Sequence, residues 1–280
     1  MIEFPEAFTI AHQITAELKG KRIESAMRGN VSHKFAFYSR SADEYAAILK
    51  GKMIGEAHVN GPLIVTAVEP DYVIVLGGGG ERILLHTNAL SIPKKHHLLL
   101  NFEDGTHLSV SVQGWGSALL LTQPELLNHP FYNTSSVPPL SEAFTFEHFK
   151  GLVDSLEPDD SRSIKYFMIS KPGVLGVGNG YLQDMLFKAK IHPRRRAAQI
   201  SDTEKQALYG AIRDTLQKAC DLNGRDSERD LHDQPGKYVR IMDNRNVGKP
   251  CPECGTPIEK ASFLGGAVYF CPSCQLTPHK

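Results

Sequence analysis

The chain has no long apolar run. No stretch approaches the roughly 18 apolar residues that a membrane-spanning helix needs, and Met1 opens no apolar signal segment. A soluble protein is expected. Cysteine is scarce: there are five in 280 residues, and four of them crowd into the last 30. A secreted disulfide scaffold uses cysteine differently, so a reducing, cytoplasmic setting is expected. Tryptophan occurs once, at Trp115. Net charge is absent too, because 31 Lys and Arg balance 31 Asp and Glu. The protein as a whole is no polycation, yet its charge is segregated. Glu125 to Asp160 carries seven acids and one base, whereas Ser161 to Ile200 carries eight Lys or Arg against one acid, Asp184. Nucleic-acid affinity needs a basic face rather than a basic total.

What is present fits a globular chain of one large or two ordinary domains, 41% apolar and 22% charged. The basic stretch contains Gly173-Val174-Leu175-Gly176-Val177-Gly178-Asn179-Gly180, which opens into a helical pattern. Tyr181, Met185 and Lys188 recur on one face, and Leu182, Leu186 and Ala189 on the next. Glycines allow close backbone approach, and a helix N-terminus adds unpaired N–H donors and a positive dipole end. Together they suit an anion such as phosphate. A plain turn with a solvated basic face fits the same residues.

At the N-terminus, Pro5 and Glu6 suit the first turn of a helix that continues through Phe8, Ala11, Ile14 and Leu18. Met1 to Glu3 then stand just ahead of it, an amine beside a carboxylate. Between Leu63 and Leu121 six short apolar runs read as strands of an antiparallel sandwich or barrel. Gly77-Gly78-Gly79-Gly80 reads as a flexible hairpin turn, since no helix follows it. Asn133 to Leu140 is a polar, proline-rich linker. Helical patterns follow, the last over Asp202 to Leu222 with a stop at Gly224, and Asp226 to Gln234 reads as loop.

Two CxxC knuckles close the chain: Cys251-Pro-Glu-Cys254 and, sixteen residues on, Cys271-Pro-Ser-Cys274. This spacing matches a four-thiolate zinc site. With every position taken by protein, the zinc is expected to be structural. The segment between suits a β-hairpin centred on Gly265-Gly266. Cys220 stands apart, in a helical pattern, as a buried apolar residue.

Three stretches together resemble the formamidopyrimidine-DNA glycosylase / endonuclease VIII family of base-excision repair enzymes. They are the start Met-Ile-Glu-Phe-Pro-Glu, the run Val177-Gly178-Asn179-Gly180-Tyr181 continuing to Ile191-His192-Pro193, and the cysteine hairpin. The resemblance implies an α+β fold: an N-terminal β-sandwich with flanking helices, then a helical domain with a helix–two-turn–helix element and a zinc hairpin. The expected boundaries are 1–135, 136–235 and 236–280. It implies that Lys165, Asn179 and the amides around Gly178 hold phosphates. The implied partner is double-stranded DNA carrying a lesion or abasic site, met by a monomer and away from membranes.

In the family an N-terminal proline amine forms a Schiff base with the sugar, and the neighbouring glutamate moves protons. An amine with a pKa near 8 leaves a useful neutral fraction at pH 7. Here Glu3 matches, but Ile2 occupies the proline position. The candidate catalytic groups are therefore Ile2, Glu3 and Met1. Gly61-Pro62-Leu63 replaces a segment that usually carries a lysine, and Gln113-Gly114-Trp115-Gly116 replaces an arginine-rich one. Trp115 suits a wedge between bases or a large core aromatic. Gly266 falls near a phosphate-binding arginine position, and Asp184 near a glutamate. Fewer cationic contacts imply weaker, less salt-sensitive binding. Three activities remain open at this point: a glycosylase with AP-lyase activity, a protein that binds damaged DNA without cutting it, and an RNA-binding module.

Overall fold

Helix α1 (Phe4–Leu18) forms where the sequence repeats apolar residues at helical spacing, and Ala7, Ile10, Ala11, Ile14 and Leu18 are all buried. In this computed structural model, which describes residues 1–132, 135–170 and 173–276, eleven further strands and α-helices follow before residue 128. They are β1 (Ile23–Met27), β2 (Ala36–Phe37), α2 (Ala42–Leu49), β3 (Met53–Asn60), β4 (Leu63–Glu69), β5 (Tyr72–Gly77), β6 (Glu81–His86), β7 (Leu98–Phe102), β8 (His107–Val112), β9 (Gly116–Thr122), and then the short α3 (Gln123–Leu127). The later elements are α4 (Phe146–Asp154), α5 (Ile164–Ile169), α6 (Asn179–Lys188), α7 (Asp202–Asp221), β10 (Glu259–Phe263) and β11 (Gly266–Phe270).

Among the described residues the first nine strands form two sheets, with strand orders β2-β9-β5-β4-β3 and β1-β7-β8-β6, and β10 pairs with β11 in a third. All pairings are antiparallel except β2 with β9. One apolar core collects Ile64, Ile74 and Leu120 from the first sheet, Leu98, Leu100 and Val110 from the second, and the buried stripe of α1. Successive strand residues face opposite ways. Val65, Val73, Val75 and Leu121 therefore form a second cluster on the outer face, covered by Leu126 of α3. Burial on both faces explains why β4, β5 and β9 read as continuous apolar runs in the sequence.

The contacts divide the chain into two units, Met1–Ser136 with Cys220–Tyr238, and Val137–Ala219 with Val239 onward. The sequence boundaries at 135 and 235 are thus drawn differently here. Residues 220–238 join the first unit because Arg225 and Asp230 hydrogen-bond to α1 and the residues before it. The linker's Asn133 and Thr134, and Lys171 of the basic stretch, lie outside the described residues.

One turn differs from expectation. Gly77 to Gly80 is no hairpin: β5 pairs with β4 and β9 in one sheet, and β6 pairs with β8 in the other. The four glycines cross between sheets at very close range. A Cβ on Gly79 would lie 2.3 Å from the Trp115 carbonyl oxygen, and one on Gly80 would lie 2.0 Å from that of Gln113. Gly77 (φ 95°) presses equally on the Pro62 carbonyl, 2.4 Å from where its Cβ would be.

Candidate active site and DNA-contact residues

In the first unit the N-terminal residues are fixed by groups distant in sequence. The Met1 amine is 3.0 Å from Glu228 Oε1, and Met1 is 56% exposed. Ile2 is buried, and its N–H donates to the Gly79 carbonyl at 2.8 Å. Ile2 was a candidate nucleophile; with Met1 in place it presents an amide, whose nitrogen lone pair is delocalised.

Glu3 is buried just ahead of α1, and its N–H donates to Glu6 Oε2 at 3.0 Å. Arg225 sits against both carboxylates. Its Nη1 donates to Glu3 Oε1 at 2.8 Å, its Nε to Glu6 Oε1 at 3.2 Å, and its Nη2 to the Met1 carbonyl at 2.6 Å. Its backbone N–H also reaches Glu6 Oε1 at 3.0 Å. Gly224, left-handed at φ 85°, lies against the Glu6 carboxylate, where a Cβ would come within 3.0 Å of Oε1. The sequence offered no sign of Arg225 or Glu228. The stretch is polar, and nothing in it marks which charges turn inward.

A fourth carboxylate, that of Glu81, braces the glycine crossing. Glu81 Oε2 accepts from the Gly79 N–H at 2.9 Å and Oε1 from the Ser117 N–H at 2.8 Å. Burial pushes its carboxyl above the ordinary range, and those backbone donors and the terminal amine oppose the shift. Trp115 is tied into the same crossing, its carbonyl accepting from Gly80 N–H at 2.8 Å. The side chain is 43% exposed, which removes the core-aromatic reading. Cys220 is buried, and burial pushes its thiol up to about 12, so it is an inert apolar residue.

In the second unit, Lys165, Gly178 and Asn179 come together with the hairpin. Gly178 caps α6, and Asn179 is its exposed first residue. A Cβ on Gly266 would lie 3.2 Å from Asn179 Nδ2 and 3.6 Å from Lys165 Nζ. Lys165 is fully buried and donates to the Phe263 carbonyl at 2.7 Å, and burial lowers its pKa. Arg194 packs over the Phe263 ring at 4.8 Å. The hairpin turn is centred one residue earlier than expected, on Leu264 (φ 51°) and Gly265 (φ 70°), because Phe263 pairs with Gly266. Two positive φ values in a two-residue loop match the twist of the strands. Asp184 is structural: it is buried in α6 and accepts from the N–H of Ile241 and of Met242, the latter at 2.7 Å.

The four hairpin sulfurs, on Cys251, Cys254, Cys271 and Cys274, all lie within 4.8 Å of one another. Tetrahedral zinc with bonds of about 2.3 Å requires separations of about 3.8 Å, close to the 3.9 Å between Cys251 and Cys274 and the 3.4 Å between Cys254 and Cys271. Gln275 ties the knuckle to the body of this unit. Its Oε1 accepts from Cys271 N–H at 3.0 Å, and its Nε2 donates to the Ile191 carbonyl at 2.9 Å.

Comparison with known proteins fits this geometry. The family description "Formamidopyrimidine-DNA glycosylase H2TH domain" matches residues 136–230, and "Zinc finger found in FPG and IleRS" matches residues 248–276. The formamidopyrimidine-DNA glycosylase of Halalkalibacterium halodurans is 30% identical over 280 residues, covering 98% of this chain and 100% of that protein. The chain belongs to the formamidopyrimidine-DNA glycosylase family. The Listeria innocua glycosylase is 28% identical over 281 residues, 98% of this chain and 100% of its own. Two solved structures share the fold at a TM-score of 0.85, each covering 98% of this chain and 100% of the other. They are Lactococcus lactis Fpg with an abasic site containing DNA, 23% identical, and MutM with carbocyclic 8-oxo-G containing DNA, 24% identical. The fold is therefore that of the glycosylases, α+β with an N-terminal sandwich. The four cysteines are the ligands of a structural zinc ion, with no position open for water. No helix among the described residues is long and apolar enough to cross a membrane.

Proposed function

We propose that this chain is a base-excision repair DNA glycosylase with AP-lyase activity that acts on lesions in double-stranded DNA, with the Met1 α-amine as nucleophile. Membership of the glycosylase family supports the activity. One observation carries the choice of nucleophile: Ile2 N–H is spent on the Gly79 carbonyl, while the Met1 amine stands exposed and held at 3.0 Å by Glu228. This amine lies one residue further out than the family's proline, and Glu228 and Arg225 hold the residue that bears it.

In this reading the neutral amine attacks the sugar C1′, the damaged base leaves, and the resulting Schiff base promotes elimination of the 3′ strand. Glu3 moves protons on the sugar and the departing base. Asn179, Lys165 and the amides around Gly178 hold backbone phosphates, which position the duplex without reading sequence. Trp115 fills the gap left by the flipped nucleotide.

Borohydride trapping on a duplex with one abasic site, using the native N-terminus and locating the adduct by mass spectrometry, tests the proposal. An adduct on Met1 is expected. An adduct on a lysine would move the nucleophile, and no adduct despite tight binding would remove the lyase activity. Glu3→Gln is expected to lose base release by at least about 100-fold while binding the duplex as before; unchanged turnover removes Glu3 from the chemistry.

A further inference from the structure

We propose that Glu228 is a second acid–base residue of this reaction, serving the Met1 amine, and that Arg225 is the residue that positions it. The inference rests on Met1 being the nucleophile. Glu228 Oε1 is 3.0 Å from the amine, within direct proton-transfer range, and the same oxygen lies 3.7 Å from Arg225 Nη2. Arg225 Nη2 also holds the Met1 carbonyl at 2.6 Å. One guanidinium thus fixes both the residue that bears the amine and the carboxylate facing it.

Glu3 is less suited to this task. It is 4% exposed, and its Oε1 accepts from Arg225 Nη1 at 2.8 Å. The Glu228 side chain is 26% exposed, open enough to exchange protons with solvent between turnovers. The two carboxylates divide the work, with Glu228 on the amine and Glu3 on the sugar.

The step balances. The ammonium gives a proton to the Glu228 carboxylate. The freed lone pair bonds to C1′ of the abasic aldehyde, and the second amine proton moves to the aldehyde oxygen, giving a carbinolamine. Glu228 then returns its proton to that hydroxyl, which leaves as water while C=N forms. An ammonium and an aldehyde have become an iminium and water, and the restored carboxylate faces the new cation. The surrounding charges are Arg225, Glu3, Glu6, Glu228 and the more distant Glu81. Three carboxylates and Arg225 make the immediate surroundings of the amine anionic, which favours the cationic product.

The test is single-turnover borohydride trapping at saturating abasic duplex. Glu228→Gln is expected to trap about 100-fold more slowly, still on Met1, with wild-type duplex affinity and melting temperature. Glu228→Ala is expected to be as slow, and added formate should speed it in proportion to its concentration, because the small acid occupies the vacated carboxylate position. Formate should not help Glu228→Gln, where the position is filled. Wild-type trapping rates in both variants would overturn the inference while leaving Met1 as nucleophile. So would a slow Glu228→Ala protein that formate does not accelerate. If the wild-type protein forms no adduct on Met1, the reading beneath it fails first.

Discussion

The two chemistry-bearing regions are held by different physics. Around Met1, position is set by charge: one guanidinium between two buried carboxylates, reached from a segment more than 200 residues away in sequence. Around Lys165 and Asn179, position is set by metal ligation and backbone: a four-cysteine hairpin, a helix start and the bare Cα of Gly266. The first arrangement concentrates its stability in one residue. The second spreads it over a ligand set that zinc holds together. A buried ion network that loses one partner leaves uncompensated charge, whereas a metal hairpin that loses a ligand fails locally.

The largest test of this contrast is Arg225→Met. It leaves Glu3 and Glu6 buried without their cation and is expected to cost about 3–5 kcal/mol in urea unfolding. Abasic-site trapping should be lost with it. A loss under 1 kcal/mol would show that the carboxylates find other partners and that charge does not organise this region.

Next is Cys251→Ser, or chelation of the zinc. Duplex affinity is expected to fall at least about tenfold, because the hairpin that carries Phe263 and Gly266 loses its anchor. Amide exchange in α1 and the two sheets should be unchanged. Full affinity in metal-free protein would separate the hairpin from DNA binding. The smallest effect is that of Lys165→Gln. It is expected to weaken binding to all sequences alike and to lower the slope of log affinity against log salt by about 1. An unchanged slope would make Lys165 purely a hairpin brace through the Phe263 carbonyl.

The same contrast explains what the sequence disclosed. The zinc ligands were legible because two CxxC knuckles have few other uses. Helix α6 was legible because Tyr181, Leu182, Met185 and Leu186 follow its period, and α1 because Pro5 opens it. Strands β1 and β3 were missed: Ile23–Met27 and Met53–Asn60 mix polar and apolar residues, and their partners supply the burial. Glu228 and Arg225 were missed for a deeper reason. A charged residue in a polar stretch looks the same whether it faces solvent or folds back onto a helix start. Periodicity cannot show that, because the cause is a long-range hydrogen bond. The crossing at Gly77–Gly80 was misread for a related reason, since four glycines permit almost any path and only strand pairing selects one.

That crossing also bears on how an enzyme of this kind can change its N-terminal residue. The second residue is located by its own N–H on the Gly79 carbonyl, and the crossing is locked in turn by Glu81 and by the backbone at Gln113 and Trp115. The address is written in main chain, which every amino acid with an N–H shares. Side-chain identity at position 2 is then constrained only by the apolar space that receives it. Exchange among such residues should leave the glutamate behind it in place. Proline, which has no amide N–H, could not keep this address behind Met1.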